Sequence, residues 1–273
     1  MSRIQNILDK AERDGRVRQV RTMPEPSGHS ALAFDMPSAT PPAAVMEDTM
    51  ARPAATPARM QRAAHLDPTL AAVLAPGAPA AEQYRALRTR VAHADHGGAV
   101  EVILVTSPGR GEGKSVTAAN LALTMAQDFQ ARICIVDADL RHSRVHSLFG
   151  VTATPGLADV LAGRATLADA LVGFEQQQIT MLPAGERPSH PAELLGSTAM
   201  RRTIETLRSQ FDRVIIDAPS VGPLADVGIL APLVDGVLLV VQAGVTTKPA
   251  IQEAVTTIGA GKFLGVVLNG SAA

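Results

Sequence analysis

The 273-residue chain has no tryptophan, one tyrosine, one cysteine and six phenylalanines. Its core must therefore be packed from Val, Ile, Leu and Ala, the composition of buried parallel strands covered by helices. The single thiol, Cys134, has no partner for an internal disulfide and sits in the apolar run 132–136. That points to a reducing compartment and a packing role. A surplus of positive charge is also missing: 25 Lys plus Arg face 26 Asp plus Glu, for a net charge of −1. This excludes a constitutive nucleic-acid binder, whose phosphate contacts need excess Lys and Arg. No long apolar run is present. The most apolar window, 227–245, is broken by Pro232, Asp235 and Gly236, and the first residues lack the apolar stretch of a signal peptide. Neither membrane spanning nor secretion is expected, and the cytoplasm is the expected location.

Three segments are expected. Residues 1–21 carry a short amphipathic helix over 2–14: Ser2 and Gln5 form a capping pair, Ile4, Ile7, Leu8 and Ala11 form a stripe, and Gly15 supplies a stop. Such a short helix is marginal alone, so its stripe is expected to dock on something. Residues 22–66, with seven prolines among Ala, Ser and Thr and no sustained period, read as a disordered tether. Residues 67–273 form the ordered domain. It opens with a helix over 80–94 in which Tyr84, Leu87 and Val91 share one stripe, while Glu82, Arg85 and Arg88 recur every three residues on a separate charged face. Beyond it, candidate strands 100–106, 131–137, 179–182, 214–217, 236–242 and 263–269 alternate with helices near 113–128, 157–162, 191–210, 223–232 and 248–259. The alternation predicts an α/β fold, a mostly parallel, doubly wound sheet with ligands at the carboxyl ends of its strands.

The first of these strands runs into Thr106-Ser-Pro-Gly-Arg-Gly-Glu-Gly-Lys-Ser115 and then a helix-forming stretch. This is the context of a phosphate-binding loop, and it makes the domain a P-loop NTPase. Gly109, Gly111 and Gly113 let backbone N–H groups approach phosphates, and the helix that follows presents its positive end. Lys114 is placed to neutralise β/γ oxygens and Ser115 to ligate Mg2+. Pro108 stands where the strict motif has its first glycine. Pro108, Gly109, Arg110, Gly111, Glu112, Gly113, Lys114, Ser115 and Val116 are the nucleotide-contacting candidates, joined by Asn269 at the last strand end as a possible reader of the base. Two further strands end in carboxylates. Asp137 and Asp139, at i and i+2, would lie on one side if the strand continues, and like charges so placed call for a cation between them. Asp217 closes a second apolar strand, the form of a metal-holding Walker B strand. The three segments converge on one Mg·nucleotide, with Ser115, Asp137 and Asp217 as the metal candidates.

Together these segments resemble the bacterial protein-tyrosine kinases (BY-kinases) of capsule and exopolysaccharide synthesis, of the cytoplasmic CpsD/CapB type, over about residues 78–270. The likeness rests on TSPGRGEGKS (106–115) as Walker A, IVDADLRHSRVH (135–146) as Walker A′ and VIIDAPS (214–220) as Walker B. It is reinforced by PGLADVLAG (155–163), LPAGERPSHPAELL (182–195) and DGVLLVVQAG (235–244). The resemblance implies an ATP- and Mg2+-dependent kinase acting on protein tyrosines, with Lys114, Asp137, Asp139 and Asp217 as its catalytic set. It also implies that Glu82, Arg85 and Arg88 match an E-x-x-R-x-x-R oligomerisation motif that builds a ring. A membrane chain-length-determinant protein would be the activator, holding the kinase at the inner membrane from the cytoplasmic side.

The chain departs from that pattern in two places. Its last residues, 269–273, are Asn-Gly-Ser-Ala-Ala rather than a tyrosine cluster, leaving Tyr84 as the one tyrosine, on a stripe that reads as core. Arg110 stands where the family usually has Pro. Two other activities of the same fold follow as alternatives: an ATP-driven switch regulating chain length or export without autophosphorylation, and a partition ATPase of the MinD/ParA type. The latter is disfavoured by Gly109, where those proteins carry a second lysine.

Overall fold

Near-continuous apolar runs make central strands, because a strand covered by helices on both faces has no polar side to show. The computed structural model describes residues 57, 59–61, 65–94, 99–127, 131–222, 225–259 and 261–270. The helix expected over 2–14, and the tether up to residue 56, lie outside the described residues. In chain order the elements are β1 (Arg59–Met60), α1 (Ala71–Leu74), α2 (Pro79–Ala92), β2 (Val102–Thr106), α3 (Lys114–Ala126), β3 (Ile133–Asp137) and α4 (Val145–Leu148). There follow α5 (Leu157–Leu161), α6 (Leu167–Ala170), β4 (Val172–Phe174), β5 (Ile179–Leu182), α7 (Pro191–Leu195), α8 (Thr198–Gln210) and β6 (Arg213–Asp217). The last are α9 (Asp226–Leu230), which runs into a 3-10 turn at Ala231–Leu233, then β7 (Gly236–Gln242), α10 (Lys248–Ile258) and β8 (Phe263–Asn269).

The strands form one sheet in the order β1-β4-β5-β3-β6-β2-β7-β8. Every pairing from β5 to β8 is parallel, and only β4 meets its neighbour β5 antiparallel. Alternate side chains feed two apolar layers. Ile103, Val105, Ile133, Ile135 and Ile215 pack under α1 to α4; Val102, Leu104, Cys134, Val136, Val214 and Ile216 pack under α5 and α7 to α10. Cys134 is fully buried in the second layer, as its apolar run implied, and burial pushes its thiol up, away from reactivity. Helix α3 is buried at twelve of its thirteen positions. Its Asn120 amide donates to the Thr69 carbonyl and accepts from the Ala72 N–H at 2.9 Å each, clamping the α1 segment onto the helix. At the far edge β8 is covered incompletely, and Val266 and Leu268 are exposed.

The order of β2 and its neighbours creates the site. From β2 the chain crosses to β3 on one side, and after β6 it passes over to β7 on the other, so the loop following β2 stands at the switch in winding direction. Three differences from the sequence reading have local causes. Strand β1 falls inside the stretch read as tether: its two residues pair with Val172 and Gly173, a tertiary contact with no period of its own. The helix expected over 191–210 is two helices, because Ser197 accepts a hydrogen bond from the Met200 N–H (3.2 Å) and starts α8 afresh. Strand β3 stops at Asp137, so Asp139 lies in the following loop rather than on a continuing strand.

Candidate active site

The loop from Ser107 to Gly113 turns on Gly111 (φ 80°) and Gly113 (φ 94°), left-handed positions suited to residues without a Cβ. It is braced from two later segments. The buried Glu112 carboxylate accepts from the Gly109 N–H at 2.8 Å and from the Thr246 hydroxyl, which itself accepts from the Gln242 N–H at 2.8 Å. The Asn269 amide donates to the Glu112 carbonyl at 3.0 Å. Asn269, expected as a possible reader of the base, thus also braces the loop backbone. A Cβ on Gly113 would fall 2.1 Å from the Asn269 Nδ2. Gly113→Ala should therefore weaken ATP binding at least about tenfold more than Gly111→Ala, since both strain the backbone by roughly 1–2 kcal/mol but only the former strikes the brace. Calorimetric titration checks this.

The carboxylates meet the lysine. Asp137 and Asp217 are register partners on β3 and β6, and Ala138 continues the ladder by donating to the Asp217 carbonyl at 2.8 Å. Lys114, first residue of α3, places its Nζ 2.8 Å from Asp139 Oδ2 and 3.7 Å from Asp217 Oδ1. Lys114 is thus a cation between Asp139 and Asp217, not between Asp137 and Asp139 as the i, i+2 spacing suggested. Burial opposes its charge, but Asp217 and Asp139 outweigh that and hold the ammonium above its ordinary pKa. Burial would raise Asp139; the charge and hydrogen bond of Lys114 override it and keep this carboxyl low. Asp137 is pushed well up by burial and by the charge on Asp217, although its oxygens accept from the backbone N–H groups of Asp139, Arg144 and Val145 at 3.2, 3.1 and 3.0 Å. Burial drives Asp217 up to about 6 against the pull of Lys114 and Ser115.

Asp217 is also the test of a metal site. Both its oxygens are buried without a hydrogen-bond partner of normal geometry, though Ser115 is close enough to weigh on its ionisation. Orphaned carboxylate oxygens beside a serine hydroxyl suit a hard cation. Mg2+ takes few protein ligands and fills the rest of its shell with water and phosphate, so one carboxylate and one hydroxyl are enough to hold it.

A cavity of about 540 Å3 opens at this end of the strands, lined by Lys114, Ser115, Val116 and Asp139 and by Arg110, His142 and Arg144. Pro108 is buried, and its carbonyl accepts from the Gly222 N–H at 3.3 Å. A somewhat larger cavity of about 650 Å3, lined by Arg88, Met125 and Arg213 among others, lies at the opposite ends of the strands, away from the loop and its carboxylates. Sequence reasoning missed Thr246 and the ion pair of Arg141 with the fully buried Asp226 (2.7 Å), which ties the loop after β3 to α9. Arg141 lies inside the quoted 135–146 motif, but nothing local marks its partner. The charged face of α2 is satisfied within the chain: Arg85 bonds Glu82 and the Pro76 carbonyl (2.8 Å each), and Arg88 donates to the Thr124 carbonyl (3.0 Å).

Residues 100–262 match the AAA domain family. Tyrosine-protein kinase YwqD of Bacillus subtilis is 34% identical over 214 residues, covering 78% of this chain and 90% of that protein. The chain belongs to the bacterial tyrosine-protein kinase family. Among solved structures, this family member resembles the chimerical protein CapA2B2 (30% identity, TM-score 0.72, 80% of this chain and 95% of that one). It also resembles the kinase domain of the Escherichia coli tyrosine kinase ETK (29% identity, TM-score 0.70, 75% and 82%).

Proposed function

We propose that this chain transfers the γ-phosphoryl group of ATP to tyrosines of proteins in a capsule or exopolysaccharide system. The observation that carries the reading is the closure of Asp139 and Asp217 on Lys114 at the mouth of a glycine-rich loop. Lys114 serves the β/γ-phosphate oxygens, exchanging its Asp139 partner for theirs when nucleotide enters. Of the two Walker A′ acids it is Asp139 that lines the cavity, so Asp139 accepts the phenolic proton. As the tyrosine oxygen bonds to Pγ, the bond from Pγ to the bridging oxygen breaks and its electron pair leaves with ADP. Ser115 and Asp217, with Asp137 alongside, would hold Mg2+, which when bound draws charge from the phosphate oxygens.

The reading extends to assembly. Glu82, Arg85 and Arg88 are proposed to exchange their internal partners for those of a neighbouring copy and close a ring. A membrane chain-length-determinant protein is proposed to recruit and activate it at the inner membrane. Among the described residues no helix is long and apolar enough to cross a membrane. Arg85→Ala with Arg88→Ala should leave the fold intact and reduce the scattering mass toward the 28.4 kDa of one chain; an unchanged oligomer mass would show that this face is only solvated.

The test of activity is incubation of the purified chain with Mg·ATP and an added tyrosine-containing protein substrate, with and without a membrane activator, following ADP and phosphotyrosine by mass spectrometry. Phosphotyrosine absent from a Lys114→Met control is the expected result. ADP without phosphotyrosine would put an ATP-driven switch in its place.

A further inference from the structure

Three basic side chains line the phosphate cavity without an evident task. Arg110, His142 and Arg144 are exposed, and among the described residues none of them has a side-chain hydrogen bond or ion pair. Lys114 and Asp139 offset each other within the cavity, and Asp139 is the one acid among the described residues lining it, so Arg110 and Arg144 leave a local surplus of positive charge. That surplus stands on a chain whose net charge is −1, so it is a property of this mouth and not of the surface at large. The Asp67 carboxylate, which feels Arg144, is already held by the N–H and hydroxyl of Thr69 at 2.9 and 2.6 Å.

The position of this rim is set by the reacting groups themselves. The His142 N–H donates to Asp139 Oδ1 at 2.9 Å and the Arg144 N–H to Asp137 Oδ2 at 3.1 Å. Arg110 stands on the loop between Gly109, whose N–H is held by Glu112, and Gly111. Lys114 and Ser115 are buried on the cavity floor, where the nucleotide phosphates belong, whereas the rim is solvent-facing. The acceptor must pass that rim from outside these 273 residues, since Tyr84, their one tyrosine, is set against α3 with Thr117 and Asn120 beside its hydroxyl.

We propose that Arg110, His142 and Arg144 select acidic protein substrates by pairing with Asp or Glu side chains that flank the target tyrosine. This rests on the kinase reading and adds to it the class of substrate. A guanidinium meets a carboxylate through two parallel N–H bonds, and exposed charges at an entrance act on encounter, so the selection is salt-sensitive and falls on KM.

The test uses the full chain, Mg·ATP and two tyrosine peptides of equal length, one with glutamates on both sides of the tyrosine and one with glutamines in their place. The glutamate peptide should show a KM at least about tenfold lower, with the gap narrowing as salt rises. Arg144→Gln should raise that KM about tenfold and leave the glutamine peptide and the KM for ATP unchanged, and Arg144→Lys should restore part of it. Equal KM values for the two peptides, or a rise in the KM for ATP in place of the peptide effect, would overturn the inference alone. No phosphate on either peptide, with ATP still bound, would overturn the kinase reading and this inference with it.

Discussion

Lys114→Met should reduce phosphotyrosine formation by at least about a hundredfold, the usual loss when one preorganised donor to developing charge is removed. The same change should destabilise the nucleotide-free protein. The ammonium sits 2.8 Å from Asp139 and 3.7 Å from Asp217, and all three groups are buried. Removing the one cation of this group leaves the acids' charge uncompensated, which costs about 3 kcal/mol or more. The sign with pH follows from Asp139, whose carboxyl Lys114 holds below its ordinary range. In the wild type this group contributes stability above its unfolded pKa; without the lysine its folded pKa rises and that contribution is lost. The deficit of the variant should be largest near pH 7, shrink as the pH falls, and vanish only below the ordinary carboxylate range, where Asp139 is protonated in the wild type as well. Thermal midpoints across this range check it, and a variant as stable as wild type at pH 7 would mean that the lysine does not hold these acids together.

Asp217→Asn should cut transfer at least about a hundredfold as well, yet move stability the other way. Burial pushes this carboxyl up to about 6, so at pH 7.5 the folded protein carries a charge that the unfolded chain bears more easily. Because the folded pKa lies above the unfolded one, the penalty is absent below about pH 4, grows through pH 6 and is then constant. Neutralising the group should raise stability by at most about 3 kcal/mol at pH 7.5 and by almost nothing at pH 4. Two inactive variants with opposite stability changes would separate the lysine that holds the site together from the acid whose position is kept for function. A destabilised Asp217→Asn protein would refute that account of the aspartate.

Much of this was legible before any coordinates. Strands β5, β7 and β8 begin and end where their apolar runs do, because turn residues bound them on both sides. The loop of residues 107–113 was legible because three glycines and a lysine at fixed spacing have few other uses. Strands β1 and β4, two and three residues long, were not, since each exists only by pairing with a neighbour. Within the site, the motifs located Lys114, Asp137, Asp139 and Asp217, but the identity of the cation between the acids depended on where β3 stops. Glu112 pairs with Thr246 across 134 positions and Asn269 reaches Glu112 across 157. Arg141 finds Asp226 across 85. No local period signals contacts of that range.

Those long-range braces bear on how the enzyme comes into being. Synthesis delivers the phosphate loop early and its supports late: Thr246 follows Glu112 by 134 residues and Asn269 by 157. A nascent chain that has cleared the ribosome only as far as β6 carries the loop, the lysine and all three acids, but neither brace. The loop is thus held in its final shape only once β7 and β8 have closed the sheet, and ligand stabilisation is expected to favour completed domains over unfinished chains.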